Sequence, residues 1–189
     1  MRIAILLATI TGLAVSCSHS PRPRTSNPGL ADTILGKSIS FPKGLALIAN
    51  EELNNPDSLL ENIGLTPFVV TIIDASCPKC IVYHLNAVDS ILCNNLPEYV
   101  GRVYVLNIKP IAVRHFFREL YPEIRVCRAV LLADTSYQFE RANGINATAN
   151  PNNRVFMVAD GRIAAYGDPI YQPGLVNQYL NELIQLYSH

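Results

Sequence analysis

The 189-residue sequence has no excess of charge of either sign, with 15 lysines and arginines against 15 aspartates and glutamates. Nucleic-acid binding demands a basic face, and the composition offers none. An apolar run of the roughly 20 residues needed to span a bilayer is also missing. The nearest candidate, Ile3 to Val15, stops short of that length. There is no internal repeat, and no second tight pair of cysteine or histidine ligands accompanies the CxxC spacing at Cys77 and Cys80. A zinc site built from Cys77, Cys80, His84 and Cys93 is disfavoured for that reason. Bulk disorder is excluded too, since 49% of the residues are apolar and 16% charged, a balance that suits one globular domain with its own core.

What is present starts at the amino terminus. MRIAILLATITGLAVSC joins a basic residue, Arg2, to an uncharged apolar run and a small residue before Cys17, the pattern of an export signal. Residues 1–16 are read as that signal. Its tail, Leu13-Ala14-Val15-Ser16-Cys17, resembles the lipobox of bacterial lipoproteins, in which the signal is removed before a cysteine that then carries lipid. The resemblance implies lipidation at Cys17 and a lipid-anchored place in a bacterial cell envelope, in the periplasm or on the outer membrane. An ordinary secretory signal is the alternative, and it too places the chain outside the cytoplasm. Loss of Arg2 leaves 14 basic against 15 acidic residues, a net charge of −1. Residues 17–33 hold SHSPRPRTSNPGLAD, whose Pro, Ser and Asn content predicts a flexible tether. The folded domain is expected over 34–189.

Within that domain the clearest strand is Phe68-Val-Val-Thr-Ile-Ile-Asp74, a continuous β-branched run of the kind covered on both faces of a sheet. After the CPKC segment, Ile81, Leu85, Val88 and Leu92 fall four, three and four residues apart, one apolar stripe on a helix. RVYVLNI at 102–108 predicts a strand, AVRHFFRELY at 112–121 a helix, and RAVLLAD at 128–134 a strand. This alternation implies parallel pairing through crossovers. Arg154 to Ala159 and Arg162 to Tyr166 flank Asp160-Gly161, a dipeptide that favours a two-residue hairpin turn. A last helix is expected from Leu175 to Tyr187. A short edge strand is expected near Ser38–Phe41.

A strand leading into a CxxC helix, then β, α, β, hairpin and α, resembles the thioredoxin fold over roughly Gly36 to Leu186. The hairpin followed by Tyr166-Gly167-Asp168-Pro169 resembles more narrowly the redoxin-type (TlpA-like) thiol:disulfide interchange lipoproteins of bacteria. The resemblance implies an α/β fold, with a central mixed β-sheet flanked by helices and CxxC at the N-terminus of the first core helix. It also implies client proteins bearing thiols or disulfides, an electron-transfer partner in the membrane or envelope, and no cofactor.

The residues supply their own chemistry for Cys77-Pro78-Lys79-Cys80. A cysteine at a helix N-cap meets unpaired N–H groups and the positive end of the helix dipole, which favour its thiolate. Proline suits the first helical position, and Lys79 adds positive charge in the same turn. Cys77 is therefore expected to be the nucleophile and Cys80 the resolving thiol. A purely structural role fits less well, because a bridge between residues three apart closes too short a loop to stabilise much.

Several positions stay open at this point. The thioredoxin fold places a cis-proline beside the CxxC pair; the candidate is Pro151, with Asn152 as the alternative and a plain loop role for Pro151 equally open. Ser76 and Thr71 stand where thioredoxins carry Trp and a buried acid, and Asp74 is the nearest acid that could assist Cys80 as a base. Cys93 and Cys127 are expected first as buried free thiols and next as a mutual pair. His84 and His115 are read as surface residues. The competing functions are a redox-inert lipoprotein binding module with a structural CPKC disulfide, and a thiol peroxidase. Asp74 argues against the second, since it occupies the place of that family's Thr.

Overall fold

The computed structural model describes residues 34–56, 59–60, 63, 65–74 and 78–187, apart from the side chains of Pro78, Lys79 and Cys80. Residues 1–33, on which the expected signal, tether and Cys17 fall, and Cys77 lie outside the described residues. Seven strands of the described chain form one mixed sheet: β1 (Ala46–Ala49), β2 (Glu52–Asn54), β3 (Phe68–Asp74), β4 (Gly101–Asn107), β5 (Val130–Asp134), β6 (Val155–Ala159) and β7 (Arg162–Tyr166). They run β2-β1-β5-β4-β3-β6-β7 across the sheet. The three central strands β5, β4 and β3 are parallel, and every other pairing is antiparallel.

Helix α1 (Pro78–Asn95) connects β3 to β4, α2 (Gln138–Asn143) follows β5, and α3 (Leu175–Tyr187) closes the fold. Between β4 and β5 the expected helix is a patchwork, with 3-10 turns at Pro110–Ala112 and Tyr121–Glu123 around α and π turns from Val113 to Leu120. Pro110 and Pro122 account for its ends, since proline donates no N–H and tolerates only the first turn of a helix.

Side-chain alternation along β3 splits the core into two layers. Val69 and Ile73 face Ile81, Leu85, Val88 and Leu92 of α1 and Leu175, Tyr179 and Leu183 of α3. Phe68, Val70 and Ile72 face the opposite layer, with Val103, Phe139, Phe156 and Ile163. The predicted stripe on α1 is fully enclosed, at 0% exposure for all four residues. Burying each such side chain stabilises by about 1.5–3 kcal/mol, which fastens α1 across the sheet.

The Asp160-Gly161 turn forms as expected, with φ of 49° and 72°, the double left-handed geometry of a tight hairpin. Ser38 does reach a sheet edge, as one bridge to Arg162 on β7, with Gly36 and Ile39 hydrogen-bonded to Ile163 and Gly161. It makes no strand there. The strands of that region are β1 and β2 at the opposite edge, turned by Asn50 and Glu51 at φ of 54° and 63°. Asn50 suits the left-handed region, but a glutamate there is uncommon, so Asn50-Glu51 is a weak turn signal.

Candidate functional site

Parallel pairing aligns the carboxyl ends of three strands. Asp74 lies in register with Asn107, and Asn107 with Asp134. Open α/β sheets bind their ligands along this edge, and it is here that β3 hands the chain to α1. The helix starts at Pro78, the residue after Cys77 in the sequence, and Cys80 is its third residue. Proline therefore occupies the first helical position, as its lack of an N–H favours.

The edge is acidic and tightly organised. Asp134, fully buried, accepts hydrogen bonds from Ser136 N (3.1 Å) and Phe139 N (2.7 Å), which fixes the start of α2. Glu140 accepts from Asn107 Nδ2 (2.8 Å) and from both the backbone N and Oγ1 of Thr148 (3.0 and 2.9 Å). Tyr137 stands in the same rim in a left-handed conformation, φ 55°. Partial burial, then the charges of Asp74, Asp134 and Glu140, hold its phenol above the ordinary tyrosine range. The sequence reading missed this rim, because its members come from three strand ends, from α2 with its N-cap and from the loop after it; the one available signal was an acid or amide at the end of each apolar strand.

Thr71 and Asn153 are each 1% exposed, and their Oγ1 and Oδ1 have no hydrogen-bond partner among the described residues. Thr71 pairs with Val155 at the start of β6, and Ile72 N donates to Arg154 O (2.7 Å) just before it. Pro151 opens a 3-10 turn, Pro151–Asn153, whose first two residues are exposed and whose third, Asn153, is buried. Its fixed φ suits the first position of that turn, which the Asn150 side chain caps by accepting from Asn152 N.

His84 departs from its expected surface position. Its imidazole is 16% exposed and lies 3.2 Å from the Asp168 carboxylate, itself 2% exposed, without hydrogen-bond alignment. The Gly-Asp-Pro loop after β7 bends inward to make this contact, with Asp168 Oδ1 accepting from Ile170 N (2.9 Å). Tyr179 OH donates to Gly167 O (3.3 Å) in the same loop. One helical turn separates Cys80 from His84, so the loop packs on the CxxC end of α1. His115 is exposed as expected.

Cys93 and Cys127 form a disulfide, Cα–Cα 6.2 Å, where free thiols were the first expectation. The far end of α1 and the chain entering β5 meet because both lie against β4, a proximity that sequence separation hides. Cys127 N donates to Asp89 Oδ2 (2.8 Å), and Tyr104 OH donates to Asp89 Oδ1 (2.8 Å). Arg102 Nε donates to Cys127 O (3.1 Å).

A groove of about 880 Å³ runs between α1 and the helical segment after β4, lined by Val82, Tyr83, Ala87, Leu120 and Glu123 among others. Tyr83, three residues past Cys80, is 75% exposed at its lip. Asn86 ties the two walls, donating to Glu123 O (3.0 Å) and accepting from Arg125 N (2.8 Å).

No family model matches the sequence, and no curated protein matches it significantly. Solved structures do resemble it. A Chlorobium tepidum protein assigned as the thiol:disulfide interchange protein DsbE is 14% identical, with 79% of this chain and 99% of that one aligned at a TM-score of 0.54. An Aquifex aeolicus protein assigned to electron transfer is 13% identical, with 82% and 99% aligned at 0.52. At these identities the likeness concerns the backbone. Together with the strand order and the succession from β3 to α3, it gives the chain a thioredoxin-like fold.

Proposed function

We propose that this protein is an exported thiol:disulfide oxidoreductase that works through Cys77 and Cys80 and is anchored to a bacterial envelope membrane by lipid on Cys17. The supporting observation is the start of α1 at Pro78, directly after a buried strand at the carboxyl edge of the parallel strands. A thiolate on Cys77 attacks a client disulfide; the client's sulfur–sulfur bond breaks, and one client sulfur leaves as a thiolate. Cys80 then attacks Cys77 in the mixed disulfide, which releases the second client thiol and leaves the Cys77–Cys80 bridge. Two electrons pass to the client, and an envelope partner must return them; the reverse direction oxidises a client dithiol. Asp74, at the strand end three residues before Cys77, is positioned by sequence to take the Cys80 proton. The groove along α1, with Tyr83 at its lip, is the surface on which a client segment would rest.

The test is a redox titration of the full mature chain in glutathione buffers, with thiols trapped and assigned by peptide mass. A Cys77–Cys80 midpoint between about −120 and −270 mV, lost in Cys77→Ser, is expected of an exchange protein. A pair that stays oxidised below about −300 mV would instead mark a structural bridge in a binding module.

A further inference from the structure

The setting of the Cys93–Cys127 bridge differs from that of an inert brace. Structural cysteines are sealed in apolar surroundings, whereas reactive ones sit in partly exposed, electropositive places. Both sulfur-bearing residues here are half-buried. Arg102, only 4% exposed, lies with Nη2 3.9 Å from Cys127 Sγ and with Nε on the Cys127 carbonyl. Asp89 accepts hydrogen bonds from Tyr104 OH and Cys127 N, and no ion pair between it and Arg102 is formed among the described residues.

The two sulfurs are unequal. Cys127 has a guanidinium at hand to stabilise negative charge. Cys93 sits in the last turn of α1, at the negative end of the helix dipole, where a thiolate is disfavoured. Exchange at such a bridge is polarised, because the better-stabilised thiolate is the better leaving group.

We propose that Cys93–Cys127 is a second thiol–disulfide exchange site, opened by an external dithiol that attacks Cys93 and expels Cys127 as a thiolate beside Arg102. The attacking sulfur bonds to Cys93 Sγ, the Cys93–Cys127 bond breaks, and its electron pair goes to Cys127 Sγ. The second thiol of the reductant then attacks its own sulfur in the mixed disulfide and releases Cys93. The reductant ends as a disulfide, and two electrons and two protons have entered the chain. Cys80 lies thirteen residues back along α1, about 20 Å at 1.5 Å per residue, so the reductant is a separate molecule. The proposal does not rest on Cys77 and Cys80 being active.

The experiment uses the full mature chain carrying Cys77→Ser and Cys80→Ser, so its outcome is independent of that pair. Under native conditions glutathione is added, the reaction is quenched with acid, and free thiols are alkylated before peptide mass analysis. Glutathione is expected on Cys93, with the alkyl group on Cys127. Reduction by dithiothreitol is expected to proceed without denaturant, and Arg102→Met should slow it about tenfold through the poorer leaving group. A bridge that opens only in denaturant, glutathione found on Cys127, or an Arg102→Met variant that opens as fast as its parent would each overturn the proposal. If Arg102→Met does not fold, the site of glutathione attachment in the Arg102 chain decides alone.

Discussion

Replacing Asp89 with alanine tests whether the buried polar cluster behind α1 stabilises the fold or merely decorates it. Asp89 is 2% exposed and accepts two hydrogen bonds of 2.8 Å, from Tyr104 OH and Cys127 N. Hydrogen bonds to a charged group contribute about 1.5–3 kcal/mol each, and their loss leaves a buried hydroxyl and a largely buried amide unsatisfied. Against this stands the relief of no longer burying a carboxylate. A net loss of about 3 kcal/mol is expected, or a fall in Tm of roughly 6–12 °C for a domain of this size. Tyr104→Phe removes one of the two bonds and should cost about 1.5 kcal/mol. The informative variant is the double one. With the hydroxyl gone, Asp89→Ala no longer orphans it, so the double variant should be about 1–2 kcal/mol more stable than the two single losses predict. Urea unfolding of the oxidised mature chain measures all three. An Asp89→Ala loss below about 1 kcal/mol, or strict additivity with Tyr104→Phe, would refute the reasoning.

Alkaline pH should unfold the protein through Tyr104 and Tyr179. Burial first, then the charge of Asp89 and its hydrogen bond for Tyr104, and the charge of Asp168 for Tyr179, push both phenols well above the unfolded value of 10.0. Below that value both states keep the proton and stability is intact; above it only the unfolded state ionises, so stability falls by about 1.36 kcal/mol per pH unit for each tyrosine. Urea titrations at rising pH should show this slope, shallower by one such increment in Tyr179→Phe; a slope unchanged by the substitution would contradict the assignment. Gly167→Ala should destabilise by about 1–2 kcal/mol, because φ of 140° strains any side chain and the new Cβ would meet Gln172 and Leu175; a thermal melt checks it, and a neutral result would mean the loop relaxes. Leu85→Ala, at 0% exposure in the α1 stripe, should cost about 2–5 kcal/mol through the lost burial and the cavity; a loss under about 1 kcal/mol by urea unfolding would place α1 off the core.

The sheet and its helices were legible where pattern and packing agree. The β-branched run of Phe68–Asp74 and the stripe Ile81, Leu85, Val88 and Leu92 each encode the layer they bury against, so both were placed from spacing alone. Asp160-Gly161 announced its turn for the same reason, as two residues that tolerate positive φ. Strands β1 and β2 were not legible. They are four and three residues long, β2 is wholly exposed, and their turn uses a glutamate at positive φ. Helix α2 was missed because it is six residues long and is held by tertiary groups, Asp134 at its start and Asn107 and Thr148 on Glu140, not by an amphipathic stripe.

His84, Asp168, Asp89 and Arg102 show a different limit. Each is polar, and each gains its meaning from a partner at least 15 positions away: Asp168 for His84, Tyr104 for Asp89, and Cys127 for Arg102. The helical reading set His84 opposite the Leu85 stripe and therefore at the surface, yet the loop after β7 folds over it. The same reasoning separates the two cysteine pairs. Cys77 and Cys80 are three residues apart in the chain, so a sequence can announce them; Cys93 and Cys127, 34 apart, are brought together only by the packing of α1 and β5 on β4. One helix thus carries a cysteine of each pair, Cys80 in its first turn and Cys93 in its last. The helix dipole favours a thiolate at the first end and opposes one at the second. The other sulfur, Cys127, lies beyond this dipole and beside Arg102, whose Nε holds the Cys127 carbonyl while Nη2 stands 3.9 Å from Sγ, so the two ends of the bridge meet different fields.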